Sequence, residues 1–150
     1  MPNRIILIVE DDLNDEHLTL RAIRQSNLHC SVIVAHNADE AMSFLNRTDC
    51  FSDRSRPEPI AIFVDNTLPG FAGAELIAEI RKVQCLKLVP IIVLSGTSDA
   101  NVVDRCHVAG ANSFLEKPVE MSEYVAQVSH AANYWLNLNL LPGHPGAGLN

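Results

Sequence analysis

Ile60-Ala61-Ile62-Phe63-Val64-Asp65 is an apolar run that ends on a lone carboxylate. So short a run, preceded by the polar, proline-containing segment Asp49–Pro59, reads as a strand buried on both faces, as in a parallel sheet. Further β-branched runs lie on either side of it: Arg4–Val9, Ser31–Ala35, Pro90–Ser95 and Ser113–Glu116. Arg4–Val9 and Pro90–Ser95 are nearly all apolar, whereas Ser31–Ala35 is shorter and flanked by polar residues, which places it nearer an edge.

Amphipathic segments of helical period separate the runs. Gly73, Leu76, Ile77, Ile80 and Val83 form one apolar stripe, and Val102, Val103, Cys106 and Ala109 another. Asn37-x-x-Glu40 is a capping-box-like start for a helix through Ala41, Phe44 and Leu45, and Gly110 is placed to stop the helix ending at Ala109. A first helix is expected over Asn14–Ser26 and a last one over Met121–Leu138. This alternation predicts a doubly wound α/β sandwich with right-handed crossovers. No linker divides it, so one domain is expected over residues 1–141, with a flexible tail over 142–150 that is rich in turn formers.

The 150 residues suit one ordinary domain, and an apolar content of 47% is globular. A formal net charge of −7 argues against nucleic-acid binding. Cys30, Cys50, Cys85 and Cys106 are scattered and form no C-x-x-C pair, as expected of reduced thiols in a cytoplasmic protein. The six histidines show no ligand spacing, and no apolar stretch reaches the length of a membrane span.

The chemistry gathers at the ends of the runs. Glu10-Asp11 follow the first, Asp65 ends the third, Ser95 ends the fourth and Lys117 follows the last. If these runs are neighbouring parallel strands, their carboxyl ends converge where open α/β sheets bind ligands. Clustered carboxylates repel one another, and magnesium, which prefers oxygen ligands, relieves that repulsion. A carboxylate kept ionised in this way can attack phosphorus to form an acyl phosphate, with Lys117 supplying charge and Ser95 a hydroxyl to the transferred oxygens.

With Ile6-Leu7-Ile8-Val9-Glu10-Asp11, Asp65-Asn66-Thr67-Leu68-Pro69 with Gly73, Leu94-Ser95-Gly96, and Ala109-Gly110-Ala111-Asn112 leading to Lys117-Pro118, the chain resembles the receiver domain of two-component response regulators from about Arg4 to Asn137. The resemblance implies a flavodoxin-like (βα)5 fold with strand order 2-1-3-4-5. It also implies Asp65 as phospho-acceptor, Asp11 as direct Mg2+ ligand, Glu10 as a ligand through water, and the Thr67 backbone carbonyl in the same shell. Ser95 and Lys117 would contact the phosphoryl group, Ser95 and Phe114 would form the switch, and a cis Lys117–Pro118 bond would aim the ammonium at the site. Asp12 resembles a loop residue beside the site rather than a ligand. The sequence departs from the family in Phe71-Ala72-Gly73, which lacks a loop acid, and in Thr67, which offers neither amide nor acid to attacking water; a phosphoryl lifetime that is not especially short follows.

Such a protein is a signalling switch that catalyses only its own phosphotransfer and autodephosphorylation. With no room for an output domain, a single-domain regulator acting by protein contact is expected. The segment Arg54–Pro59 and the ending Tyr134 to Pro142 resemble regulators paired with phytochrome-type histidine kinases, whose C-terminal extension takes part in homodimers. Tyr134, Trp135, Leu136, Leu138, Leu140 and Leu141 fit such an interface. A sensor histidine kinase or phosphotransfer protein would dock near His17, Leu18 and Arg21 and the loop after Ser113–Glu116. Two alternatives are a receiver-like binding module that takes no phosphate and a haloacid-dehalogenase-type phosphatase. The first would be expected to lack an acid or Lys117, and the second normally has another Asp where Thr67 stands.

Overall fold

A computed structural model describes residues 4–26, 28–47, 57–68 and 71–141; for Thr67, Leu68 and Phe71 it describes the backbone. Strands β1 (Ile5–Val9), β2 (Ser31–Ala35), β3 (Pro59–Asp65), β4 (Ile91–Ser95) and β5 (Ser113–Glu116) alternate with helices α1 (Leu13–Gln25), α2 (Ala38–Asn46), α3 (Gly73–Lys82), α4 (Ala100–Ala109) and α5 (Met121–Asn133). The five strands form one parallel sheet in the order β2-β1-β3-β4-β5, as the resemblance implies, with β2 at an edge.

Strand residues alternate between two cores because successive side chains point to opposite faces. Ile5, Leu7 and Val9 pack with Phe44, Leu76, Ile77 and Ile80 from α2 and α3, while Ile6 and Ile8 pack with Ala22, Ile23, Val125 and Val128 from α1 and α5. Both faces are covered, which is why β1 carries no polar residue and β3 and β4 carry one only at their last positions.

Helix ends follow local chemistry. Asn37 caps α2 by accepting from the Glu40 N–H at 2.7 Å, and Asp12 caps α1 by accepting from the Asp15 N–H at 3.0 Å. Gly110 ends α4 at φ 124°, where a side chain would be strained and would meet the Arg81 side chain at 2.8 Å. That Arg81 side chain is fixed by donating to the carbonyls of Gly110, Leu86 and Val89.

Two features differ from the sequence expectation. A short antiparallel hairpin, Thr67–Leu68 against Phe71–Ala72, precedes α3 where only a loop was expected. The last helix stops at Asn133 and continues as a π-helical turn over Tyr134–Leu138. That turn folds Leu136 into the core, and the Trp135 indole N–H donates to the Ser113 hydroxyl at 3.1 Å. Trp135 and Leu136 therefore pack on their own domain, and the exposed apolar surface here reduces to Tyr134, Leu138 and Leu140. Most of the expected Asp49–Pro59 loop and the tail 142–150 lie outside the described residues.

Candidate metal and phosphoryl site

Sheet register brings the distant polar groups to one level. Val9 pairs with Val64, so Glu10 sits beside Asp65; Asp65 pairs with Leu94, so Ser95 is one step further on. Ser95 pairs with Glu116, and the Lys117 N–H continues that ladder by donating to the Ser95 carbonyl at 2.6 Å.

Oxygen atoms of Glu10, Asp11 and Asp65 all lie within 4.8 Å of one another. Glu10 and Asp65 are buried at the strand ends, and Asp11 is the exposed member. Burial, a hydrogen bond with Asp65 and the Asp65 charge together push the Glu10 carboxyl up to about 8. Without a cation, that repulsion favours a proton on Glu10. A divalent ion would replace that proton, and the donor set of clustered carboxylate oxygens with an open side suits Mg2+ or Mn2+.

Lys117 reaches the same cluster from the end of β5. Its Nζ lies 3.3 Å from Glu10 Oε1, 3.5 Å from Asp65 Oδ1 and 2.7 Å from Asp15 Oδ2. Burial alone would lower its pKa, but the hydrogen bond to Asp15 and the charges of Asp65 and Glu10 outweigh it, so the ammonium stays charged. The expected cis bond is not found: Lys117–Pro118 is trans, and the lysine reaches the cluster through the backbone bond to Ser95 that prolongs β5.

Ser95 is fully buried, and its hydroxyl accepts from the Thr97 N–H at 3.1 Å, shaping the turn after β4. A Cβ at Gly96 would meet nothing within 4 Å, so that glycine leaves room beside the site. Phe114 is half-buried in β5, opposite Val93, and packs on the α2–α3–α4 core. Thr67 lies in the first strand of the hairpin, two residues past Asp65. Asp12 is the α1 cap, in keeping with its place beside the site. Asp15 is a neighbour of the cluster that sequence reasoning did not place there. The available signal was its position in the first turn of a helix starting directly after Glu10-Asp11.

Beside Lys117, a groove of about 640 Å³ runs between α1 and the loop after β5, lined in part by His17, Leu18, Val119, Met121 and Tyr124. Tyr124 is anchored to α1 by a buried hydrogen bond to Thr19 at 3.1 Å. Val119 is almost wholly exposed. Among the described residues no helix is long and apolar enough to cross a membrane.

Residues 6–129 match the response regulator receiver domain family. The chain is 28% identical over 141 residues to the response regulator Rcp1 of Synechocystis sp., covering 94% of this chain and 95% of Rcp1. It superposes on the phosphorylated cyanobacterial phytochrome response regulator RcpA with a TM-score of 0.86 at 28% identity, covering 94% of this chain and 99% of that one. It superposes on the Mn2+-bound form of Rcp1 with a TM-score of 0.85 at 27% identity, covering 93% and 99%. With fold, register and site composition in agreement, the chain belongs to the response regulator receiver domain family.

Proposed function

We propose that the chain is the phospho-accepting component of a two-component phosphorelay, with Asp65 as acceptor. The observation that carries this is the meeting of Glu10, Asp11 and Asp65 within 4.8 Å, with the Lys117 ammonium 3.5 Å from Asp65. An Asp65 oxygen attacks the phosphorus of a phosphohistidine or a small phosphodonor, the phosphorus–leaving-group bond breaks, and an acyl phosphate forms. Lys117 and the Ser95 hydroxyl meet the phosphoryl oxygens, where the transition state spreads its charge. Glu10, Asp11, Asp65 and the Thr67 carbonyl would hold Mg2+, with Glu10 acting through water; bound there, the ion neutralises the acids and the incoming phosphoryl charge. Ser95 and Phe114 form the switch, the ring turning inward as the hydroxyl moves toward the phosphate.

The groove between α1 and the loop after β5 suits docking of a helical phosphohistidine domain, with His17, Leu18, Val119 and Met121 as its contact residues. The likeness to the phytochrome response regulator RcpA supports a histidine kinase of phytochrome type as the donor, and we place the exchange in the cytoplasm. Tyr134, Leu138 and Leu140 remain exposed after the π-turn folds back, and we assign homodimer formation to them. Output is then a change in protein contacts.

Incubation with magnesium and acetyl phosphate tests the core of the reading by intact-mass measurement. The parent should gain one phosphoryl group and Asp65→Asn none; an equal gain in both removes Asp65 as acceptor.

A further inference from the structure

We infer that Asp15 is a positioning residue for Lys117: it holds the ammonium on the α1 side of the resting cluster, and phosphorylation of Asp65 draws the ammonium away from it. The inference rests on Asp65 being the phospho-acceptor.

An ammonium has three protons, and Lys117 already faces three carboxylates: Asp15 at 2.7 Å, Glu10 at 3.3 Å and Asp65 at 3.5 Å. A phosphoryl oxygen adds a further strong acceptor, so one existing partner must weaken or leave. The side chains of Glu10 and Asp65 are only 1% and 2% exposed, so water cannot readily replace the lysine there. Asp15 is 29% exposed and lies outside the Glu10–Asp11–Asp65 group, so it can be rehydrated at much smaller cost. The shortest of the ammonium's three carboxylate contacts is thus also the one most easily given up.

The local fold fixes Asp15 for this role. Its backbone N–H is held by the Asp12 cap at 3.0 Å, which sets the first turn of α1 against the strand ends. Asp15 and Lys117 also both line the groove between α1 and the loop after β5. Breaking their pair would change the charge presented at that groove when Asp65 is phosphorylated.

Beryllofluoride with saturating magnesium, a phosphoryl mimic for aspartate, supplies the test. Affinity is measured for the parent, for Asp15→Asn and for Asp12→Asn. The last removes an equal nearby charge while keeping a good helix cap, so it reports any general field effect. Asp15→Asn should bind on the order of fivefold tighter, the size of one strong, partly screened ion pair, with Asp12→Asn unchanged. Crystals of the parent complex should show Lys117 Nζ beyond hydrogen-bond reach of Asp15.

Equal or weaker binding by Asp15→Asn, an equal gain in Asp12→Asn, or a retained Lys117–Asp15 contact overturns the inference alone. Failure of the parent to bind beryllofluoride would instead overturn the receiver reading, and this inference with it.

Discussion

Along β3, Ile60 to Val64 and Asp65 are all buried, but the two parts contribute to the fold with opposite sign. The apolar stretch fills both cores and stabilises the sheet with every residue. One residue further on, Asp65 meets buried Glu10 across the register, and two carboxylates share a region that has shed its water. The interior is built for stability. The edge holds an electrostatic strain that a cation and a phosphoryl group can use. Folding energy stored in the first region is what allows the second to stay assembled.

That contrast can be broken first in the interior. Phe63 is fully buried, and Phe63→Ala should cost about 3–5 kcal/mol in denaturant unfolding. A loss below about 1 kcal/mol would show that β3 does not anchor the sheet.

At the edge the sign reverses and depends on pH. The Glu10 carboxyl is raised from 4.5 to about 8 in the fold, so the folded state binds the extra proton between those values. Its contribution is fully present below pH 4.5 and is lost as pH rises through about 8. Metal-free stability should therefore fall by roughly 2–4 kcal/mol over that window, and Glu10→Gln should flatten the fall. Millimolar magnesium should flatten it as well, since the ion takes over the proton's role. A pH slope unchanged in Glu10→Gln would place the strain elsewhere.

Smaller effects are expected away from the sheet. Asn37→Ala removes the α2 cap and should cost about 1 kcal/mol by thermal unfolding, with magnesium affinity unchanged. Trp135→Phe loses the bond to Ser113 and should cost about 0.5–1.5 kcal/mol. If Trp135→Phe left stability intact but shifted the oligomeric state, the π-turn would be an interface element rather than a fold-back.

The sheet was legible in the sequence because parallel strands buried on both faces must be short apolar runs, and their polar ends stand out against them. Glu10, Asp11, Asp65, Ser95 and Lys117 were found for that reason, each at the end of such a run. What stayed hidden depends on contacts between distant residues. Asp15 looks like any first-turn helix acid until folding brings it to Lys117, 102 residues away. Trp135 and Leu136 look like surplus apolar surface until a π-turn rotates them onto the domain. The hairpin at Thr67–Ala72 rests on two backbone pairs and leaves almost no hydrophobic pattern. The trans Lys117–Pro118 bond was equally unreadable, because an X–Pro dipeptide admits both isomers.

The most direct test of the account is to locate the covalent adduct. After exposure to magnesium and acetyl phosphate, borohydride reduction converts an aspartyl phosphate to homoserine, which peptide mass mapping can place. The account predicts homoserine at Asp65 alone. Homoserine at Asp11 or another acid, or none in protein that has gained a phosphoryl group, would contradict it.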